Sequence, residues 1–166
     1  VASLVGSEMC IRDSSDGVFF GGAVYLFLGS TLNANMTLDA SNADYTFYGT
    51  NNQGYLGRHL ASAGDVDGDG LDDIMFSSVE SAGFAGVVYL FLGSSLTTPG
   101  VVDIATADVI FEGEIGGGSL DADRLGSAMA TAGDVDGDGL DDILLGAPSA
   151  TVNAISNAGK VYLILG

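Results

Sequence analysis

Cations are scarce in this chain. Four basic side chains, Arg12, Arg58, Arg124 and Lys160, face 22 Asp and Glu, for a net charge of -18 in 166 residues. Nucleic acid has to be met by cations, so it is excluded as a partner. Cysteine is limited to Cys10, which excludes an internal disulfide framework. Long apolar runs are missing as well. The longest, residues 23–28 and 87–92, hold about six residues, against the roughly 20 of a membrane helix, so nothing here inserts into a bilayer as a helix. No 3.6-residue periodicity of useful length occurs, and little helix is expected. What is present excludes a disordered acidic tail: 47% of the residues are hydrophobic and only 16% charged. The 26 glycines imply many turns.

The acid is clustered. Ten of the 22 acidic residues sit in two identical nine-residue stretches, 65–73 and 134–142, leaving 12 acids against four bases elsewhere. Like charges 4 Å apart repel by ~4 kcal/mol at an effective dielectric of 20. A short loop of that charge is either splayed in solvent or neutralised by a cation.

The chain is a repeat. Asp-Val-Asp-Gly-Asp-Gly-Leu-Asp-Asp starts at Asp65 and again at Asp134, an offset of 69. Val-Tyr-Leu-(Phe/Ile)-Leu-Gly starts at Val24, Val88 and Val161, with offsets of 64 and 73. Ala43-Asp44 lines up with Ala107-Asp108, and Leu56-Gly57 with Leu125-Gly126. The shifts in offset place insertions near residues 115–123 and 149–156, as loops of a repeat protein accept them.

Each unit predicts four short strands. The first is built of small residues, Leu60-Ala61-Ser62-Ala63-Gly64 and Met129-Ala130-Thr131-Ala132-Gly133, and suits a place where sheets converge without room for bulk. The second follows the acidic loop, at Asp73-Ile74-Met75-Phe76 and Asp142-Ile143-Leu144-Leu145. The third is the Val-Tyr-Leu run, apolar at successive positions as in a strand covered on both faces. The fourth is residues 45–48 or 109–112. Four-stranded antiparallel sheets, repeated every ~60 to 70 residues and covered on both faces, describe an all-β fold of β-propeller blades. About two full blades and a terminal strand are expected, an incomplete ring from a longer protein, since a closed ring takes roughly four to eight blades. The expected division is 1–30, the end of a preceding blade; 31–94 and 95–166, one blade each; all within one propeller domain.

The acidic loops have the spacing of a calcium site. Asp-x-Asp-x-Asp-Gly-x-x-Asp places carboxylates at positions 1, 3, 5 and 9: Asp65, Asp67, Asp69 and Asp73, then Asp134, Asp136, Asp138 and Asp142. The carbonyls of Leu71 and Leu140 at position 7 are expected to add an oxygen each. Gly70 and Gly139 allow the sharp turn at position 6. Water completes a shell of six to eight oxygens at ~2.3–2.6 Å. A hard all-oxygen set argues against zinc and copper. Magnesium holds its waters and a stricter octahedron, so two Ca2+ per chain are expected. An EF-hand needs Glu at position 12, where Phe76 and Leu145 stand, and a dockerin-like pair fails for the same reason. The plain alternative, a solvated Asp-Gly turn, does not account for two copies in register. Asp72 and Asp141 point away by alternation, to solvent or behind the ligands.

Leu125-Gly126, Gly133 through Asp142, Leu144-Leu145-Gly146-Ala147-Pro148 and Gly159-Lys160-Val161-Tyr162 together resemble the FG-GAP repeat of integrin α-subunit propellers, a repeat also carried by bacterial surface and secreted proteins. The resemblance extends over nearly all of residues 31–166. It implies a calcium loop between the first two strands of a blade, with ligands at Asp134, Asp136, Asp138, Leu140 and Asp142 and the equivalent set from Asp65. Two departures stand out. Leu56 and Leu125 replace the Phe of the repeat's name, and Phe76-Ser77-Ser78 stands where Gly-Ala-Pro is expected.

Other candidates carry less. Met9-Cys10-Ile11-Arg12-Asp13-Ser14 has no counterpart in the other copies. It resembles a peptide translated from sequencing-adapter sequence, which would make residues 1–14 non-native, and it reads equally as a variable loop. His59, the only histidine, aligns with Ala128 and reads as a strand-start residue. Ser77 and Ser78 read as strand-exit polar groups, and Arg58 and Arg124 as isolated cations beside the first strand. Tyr25, Tyr89 and Tyr162 recur with the repeat and read as blade packing.

The function expected from these residues is a non-catalytic, calcium-binding propeller module, secreted or on a cell surface, that serves as a scaffold for adhesion or ligand binding. Its partners would be a protein or carbohydrate ligand and further blades of the same propeller. The competing reading is a scaffold or accessory domain of a secreted polysaccharide lyase or hydrolase, because fold does not decide function.

Overall fold

The computed structural model describes residues 21–32, 35–49, 54–81, 83–115 and 122–166. The Met9–Ser14 stretch and most of the expected 115–123 insertion lie outside these. The described chain is all-β: ten strands, four single turns of 3-10 helix and no α-helix. In chain order the strands are β1 (Ala23–Leu26), β2 (Tyr45–Tyr48), β3 (Leu60–Gly64), β4 (Asp73–Ser78), β5 (Val87–Phe91), β6 (Gly100–Asp103), β7 (Val109–Glu112), β8 (Ala128–Gly133), β9 (Asp142–Ala147) and β10 (Lys160–Ile164).

Three sheets form, ordered β1-β2-β6, β3-β4-β5-β7 and β8-β9-β10, an arrangement consistent with successive propeller blades. The central sheet holds the four strands in the order the repeat predicts, each pair antiparallel. It spans residues 60–112, and so it crosses the line between the units 31–94 and 95–166: β7 completes the sheet of the unit before it. The period is that of the sequence repeat, but the sheets take a different phase.

One pairing departs from the antiparallel expectation. β6 pairs with β2 in parallel, Tyr45 opposite Gly100 and Tyr48 opposite Asp103. A parallel pair needs a long crossover. Here the chain leaves the second sheet after β5, lays β6 along the first, and returns as β7. β6 is only four residues long and follows Pro99, so the sequence reads as loop there.

Two apolar layers hold the sheets together. Val24, Tyr45, Phe47, Phe76, Tyr89 and Phe91 meet between the first and second sheets. Phe47 lies 4.9 Å from both Phe76 and Phe91, ring centroid to centroid, the spacing of favourable aromatic pairs. Val88, Leu90, Leu125, Ile143 and Leu145 meet between the second and third. Successive side chains of β5 thus enter opposite layers, and all five of its residues are buried. This is why the Val-Tyr-Leu run is apolar without alternation. The small-residue strands β3 and β8 lie against each other, with Ala63 fully buried between the sheets.

The Leu-Gly pair of each unit joins one sheet to the next. Leu125 N–H donates to the Ala85 carbonyl at 2.7 Å, and Gly126 N–H to the Gly146 carbonyl at 3.0 Å. Leu56 and Gly57 do the same with Gly21 and Ser77. The Leu125 side chain is buried in the joint, which contributes roughly 1.5–3 kcal/mol. Gly86 permits the approach: its φ is +84°, and a Cβ there would strike the Leu125 backbone.

Candidate metal centres

Both acidic loops join the first two strands of a sheet, β3 to β4 and β8 to β9. Each loop curls because its own carboxylates accept backbone N–H groups. Asp65 Oδ1 accepts from Asp69 N–H at 3.0 Å and Oδ2 from Gly70 N–H at 2.9 Å. Asp134 does the same with Asp138 and Gly139 at 3.0 Å each. Asp69 and Asp138 each accept from the Leu two residues on. Gly70 and Gly139 adopt φ of +86° and +97°, the left-handed turn expected at position 6.

The curl gathers carboxylates. In the first loop Asp65, Asp67 and Asp73 each present an oxygen, all within 4.8 Å of one another. In the second, Asp134, Asp136 and Asp138 do so. Positions 1 and 3 meet in both copies. Position 9 joins them in the first and position 5 in the second. Asp69 is not a member of the first triplet, nor Asp142 of the second. The N–H groups of Leu71 and Leu140 anchor the turn that carries their carbonyls.

Asp73 and Asp142 are the fully buried members. Asp73 Oδ2 accepts from Val66 N–H at 2.9 Å and Oδ1 from Gly93 N–H at 2.8 Å. Asp142 repeats this with Val135 at 2.7 Å and Gly166 at 3.0 Å. A carboxylate has about four lone-pair sites, so each retains capacity for a cation. Burial raises the pKa of Asp73, the Gly93 and Val66 N–H groups lower it, and the charges of Asp67 and Asp69 raise it further. A cation beside it would favour the charged form.

Gly93 and Gly166 are site residues that the sequence reading missed. They end the Val-Tyr-Leu-x-Leu-Gly motif, and that recurrence was the available signal. A Cβ at Gly93 would meet Leu71 Cβ at 2.8 Å, and one at Gly166 would meet Leu140 Cβ at 2.7 Å. Only glycine brings its N–H this close to the position-9 carboxylate.

Residues 125–164 match the family model of the FG-GAP repeat. This stretch is an FG-GAP repeat. No curated protein matches the chain. The FG-GAP match spans β8, the second acidic loop, β9 and β10. The first loop lies outside it, with the same nine residues and the same internal hydrogen bonds save one, the Gly137 N–H that Asp134 Oδ1 accepts at 2.6 Å in the second loop.

The remaining candidates are placed as follows. Arg58 pairs with Glu80 at 3.1 Å, and burial followed by the Arg58 charge lowers the pKa of His59. Ser77 and Ser78 are buried at the end of β4, and Ser78 Oγ shares a hydrogen bond with Ser81 Oγ. Tyr89 and Tyr162 pack into the two apolar layers. Lys160 reaches Glu114 at 2.9 Å, a contact that raises its pKa.

Proposed function

We propose that the chain is a calcium-stabilised, integrin-like propeller module, non-catalytic, of a secreted or cell-surface protein, and that it serves as a scaffold for adhesion or ligand binding. One Ca2+ belongs to each acidic loop. Asp65, Asp67, Asp69, Asp73 and the Leu71 carbonyl hold the first, and Asp134, Asp136, Asp138, Asp142 and the Leu140 carbonyl the second. The observation that carries this reading is the first triplet: three carboxylate oxygens within 4.8 Å, one from a fully buried Asp. Charges so close repel strongly unless a cation lies among them. The donors are all oxygen, the set that suits a hard cation. A non-catalytic role accords with FG-GAP repeats generally being structural modules. Calcium sites of extracellular modules are typically weak, which suits exposed loops like these.

Calorimetric titration tests the reading. Two calcium ions are expected per chain, and one after either Asp67→Ala or Asp136→Ala. A chain that takes up no calcium at millimolar concentration would refute it.

A further inference from the structure

The two acidic loops touch. Asp65, at position 1 of the first, donates its N–H to Asp141 Oδ2 at 3.0 Å, and its carbonyl accepts from Asp141 N–H at 2.9 Å. The second loop thus holds both backbone groups of Asp65, while the Asp65 carboxylate curls the first loop by accepting from Asp69 and Gly70 N–H. The next residue, Val66, donates its N–H to the fully buried Asp73. Asp141 in turn stands between Leu140 and Asp142, at positions 7 and 9 of the second loop. The strands that lead into the loops, β3 and β8, lie against each other, so the contact continues into the sheets.

There is no slack where the loops meet. A Cβ at Gly64 would strike the Asp141 side chain, and one at Gly68 would lie 2.8 Å from Leu140 Cδ2. Movement of either loop at this joint therefore displaces the other.

We propose that the two calcium sites are coupled through this joint, so that an ion in one loop tightens binding in the other; the inference rests on the calcium reading above. The three carboxylate oxygens gathered within 4.8 Å in each loop repel one another, and without a cation that repulsion drives the loop open. Opening the first loop withdraws Asp65 from Asp141, and opening the second withdraws Asp141 from Asp65. An ion that holds one loop closed keeps its half of the tie in place, and the other loop then closes at a smaller cost in order. Such coupling is reciprocal: each ion strengthens the other by the same factor. Repulsion between the two ions acts the other way, but the loops are largely exposed and salt screens it. The sign of the coupling therefore separates the tie from simple charge repulsion.

Calcium association constants, measured by calorimetry and by competition with a chromophoric chelator, test this. In the unmodified chain the product of the two constants is expected to exceed, by about fivefold or more, the product of the single constants of Asp67→Ala and Asp136→Ala, each of which keeps one site. Asp141→Ala, introduced into all three chains, is expected to bring that ratio toward one. Asp141→Asn, which keeps an oxygen to accept the Asp65 N–H, is expected to preserve most of it. Two ions bound with a ratio of one in the unmodified chain would overturn the coupling and leave the calcium reading intact. A ratio below one would overturn it as well, with repulsion between the ions outweighing the tie. A ratio above one that Asp141→Ala does not lower would overturn the tie as its carrier. Absence of calcium uptake would overturn the calcium reading and the coupling with it.

Discussion

Asp65 and Asp141 are tied to each other twice: Asp141 N–H donates to the Asp65 carbonyl at 2.9 Å, and Asp65 N–H donates to Asp141 Oδ2 at 3.0 Å. Asp65 opens the first acidic loop and Asp141 sits near the end of the second. Alternation along the loop placed Asp141 away from the ion. It does stand outside both carboxylate triplets, but it is only partly exposed and it joins the two loops.

Asp141→Ala removes one half of this tie. It is expected to lower stability by about 1 kcal/mol, the value of a partly exposed hydrogen bond to a charged group. Asp141→Asn, which retains an oxygen acceptor, is expected to lose less. Calcium stoichiometry is expected to be two in both. Urea denaturation with calorimetric titration checks it; loss of a calcium equivalent in Asp141→Ala would make Asp141 a ligand instead.

Calcium is expected to raise the melting temperature. A ligand at 100 times its dissociation constant adds ~2.7 kcal/mol per independent site. Thermal scans in calcium and in chelator measure this directly. Superimposable curves would refute structural binding at both loops.

Two glycines with nearly equal φ separate strain from crowding. Gly86 and Gly70 have φ of +84° and +86°, yet a Cβ at Gly86 strikes Leu125 while one at Gly70 meets nothing within 4 Å. Gly70→Ala is expected to cost roughly 1–2 kcal/mol, from the left-handed conformation alone. Gly86→Ala adds displacement of the joint between the second and third sheets, and is expected to cost at least about 2 kcal/mol more. Equal urea midpoints for the two variants would deny the close approach at Leu125.

The outward face of β10 predicts self-association. Val161 and Leu163 of β10 and Leu165 just after it are 72%, 46% and 53% exposed, and among the described residues β10 lies at the edge of its sheet. Apolar residues on an unpaired edge promote pairing with other chains. Sedimentation at tens of micromolar is expected to show association in calcium and in chelator alike, and Leu163→Lys to reduce it. A sharp monomer boundary for the unmodified chain would contradict this.

The strands other than β6, and the turns, were legible because their signals are local. β5 is apolar at every position because its side chains alternate between two layers, and that follows from strand geometry. Gly70 and Gly139 have the positive φ that their place in the acidic loop demands. The meeting of Asp65 with Asp67, and of Asp134 with Asp136, is likewise written in alternate spacing over a few residues.

What the sequence by itself determined about this protein is its period, its strands other than β6 and the place of its two acidic loops, since each depends on neighbours a few residues away. Only the tertiary structure decided that β7 completes the sheet before it, that β6 crosses to lie along β2, and that Asp141 holds Asp65. Gly93 reaching Asp73 across twenty residues belongs with these. Each such contact joins segments whose separation along the chain sets no local pattern. Their partners are fixed by which edges and faces remain unpaired once the sheets have packed.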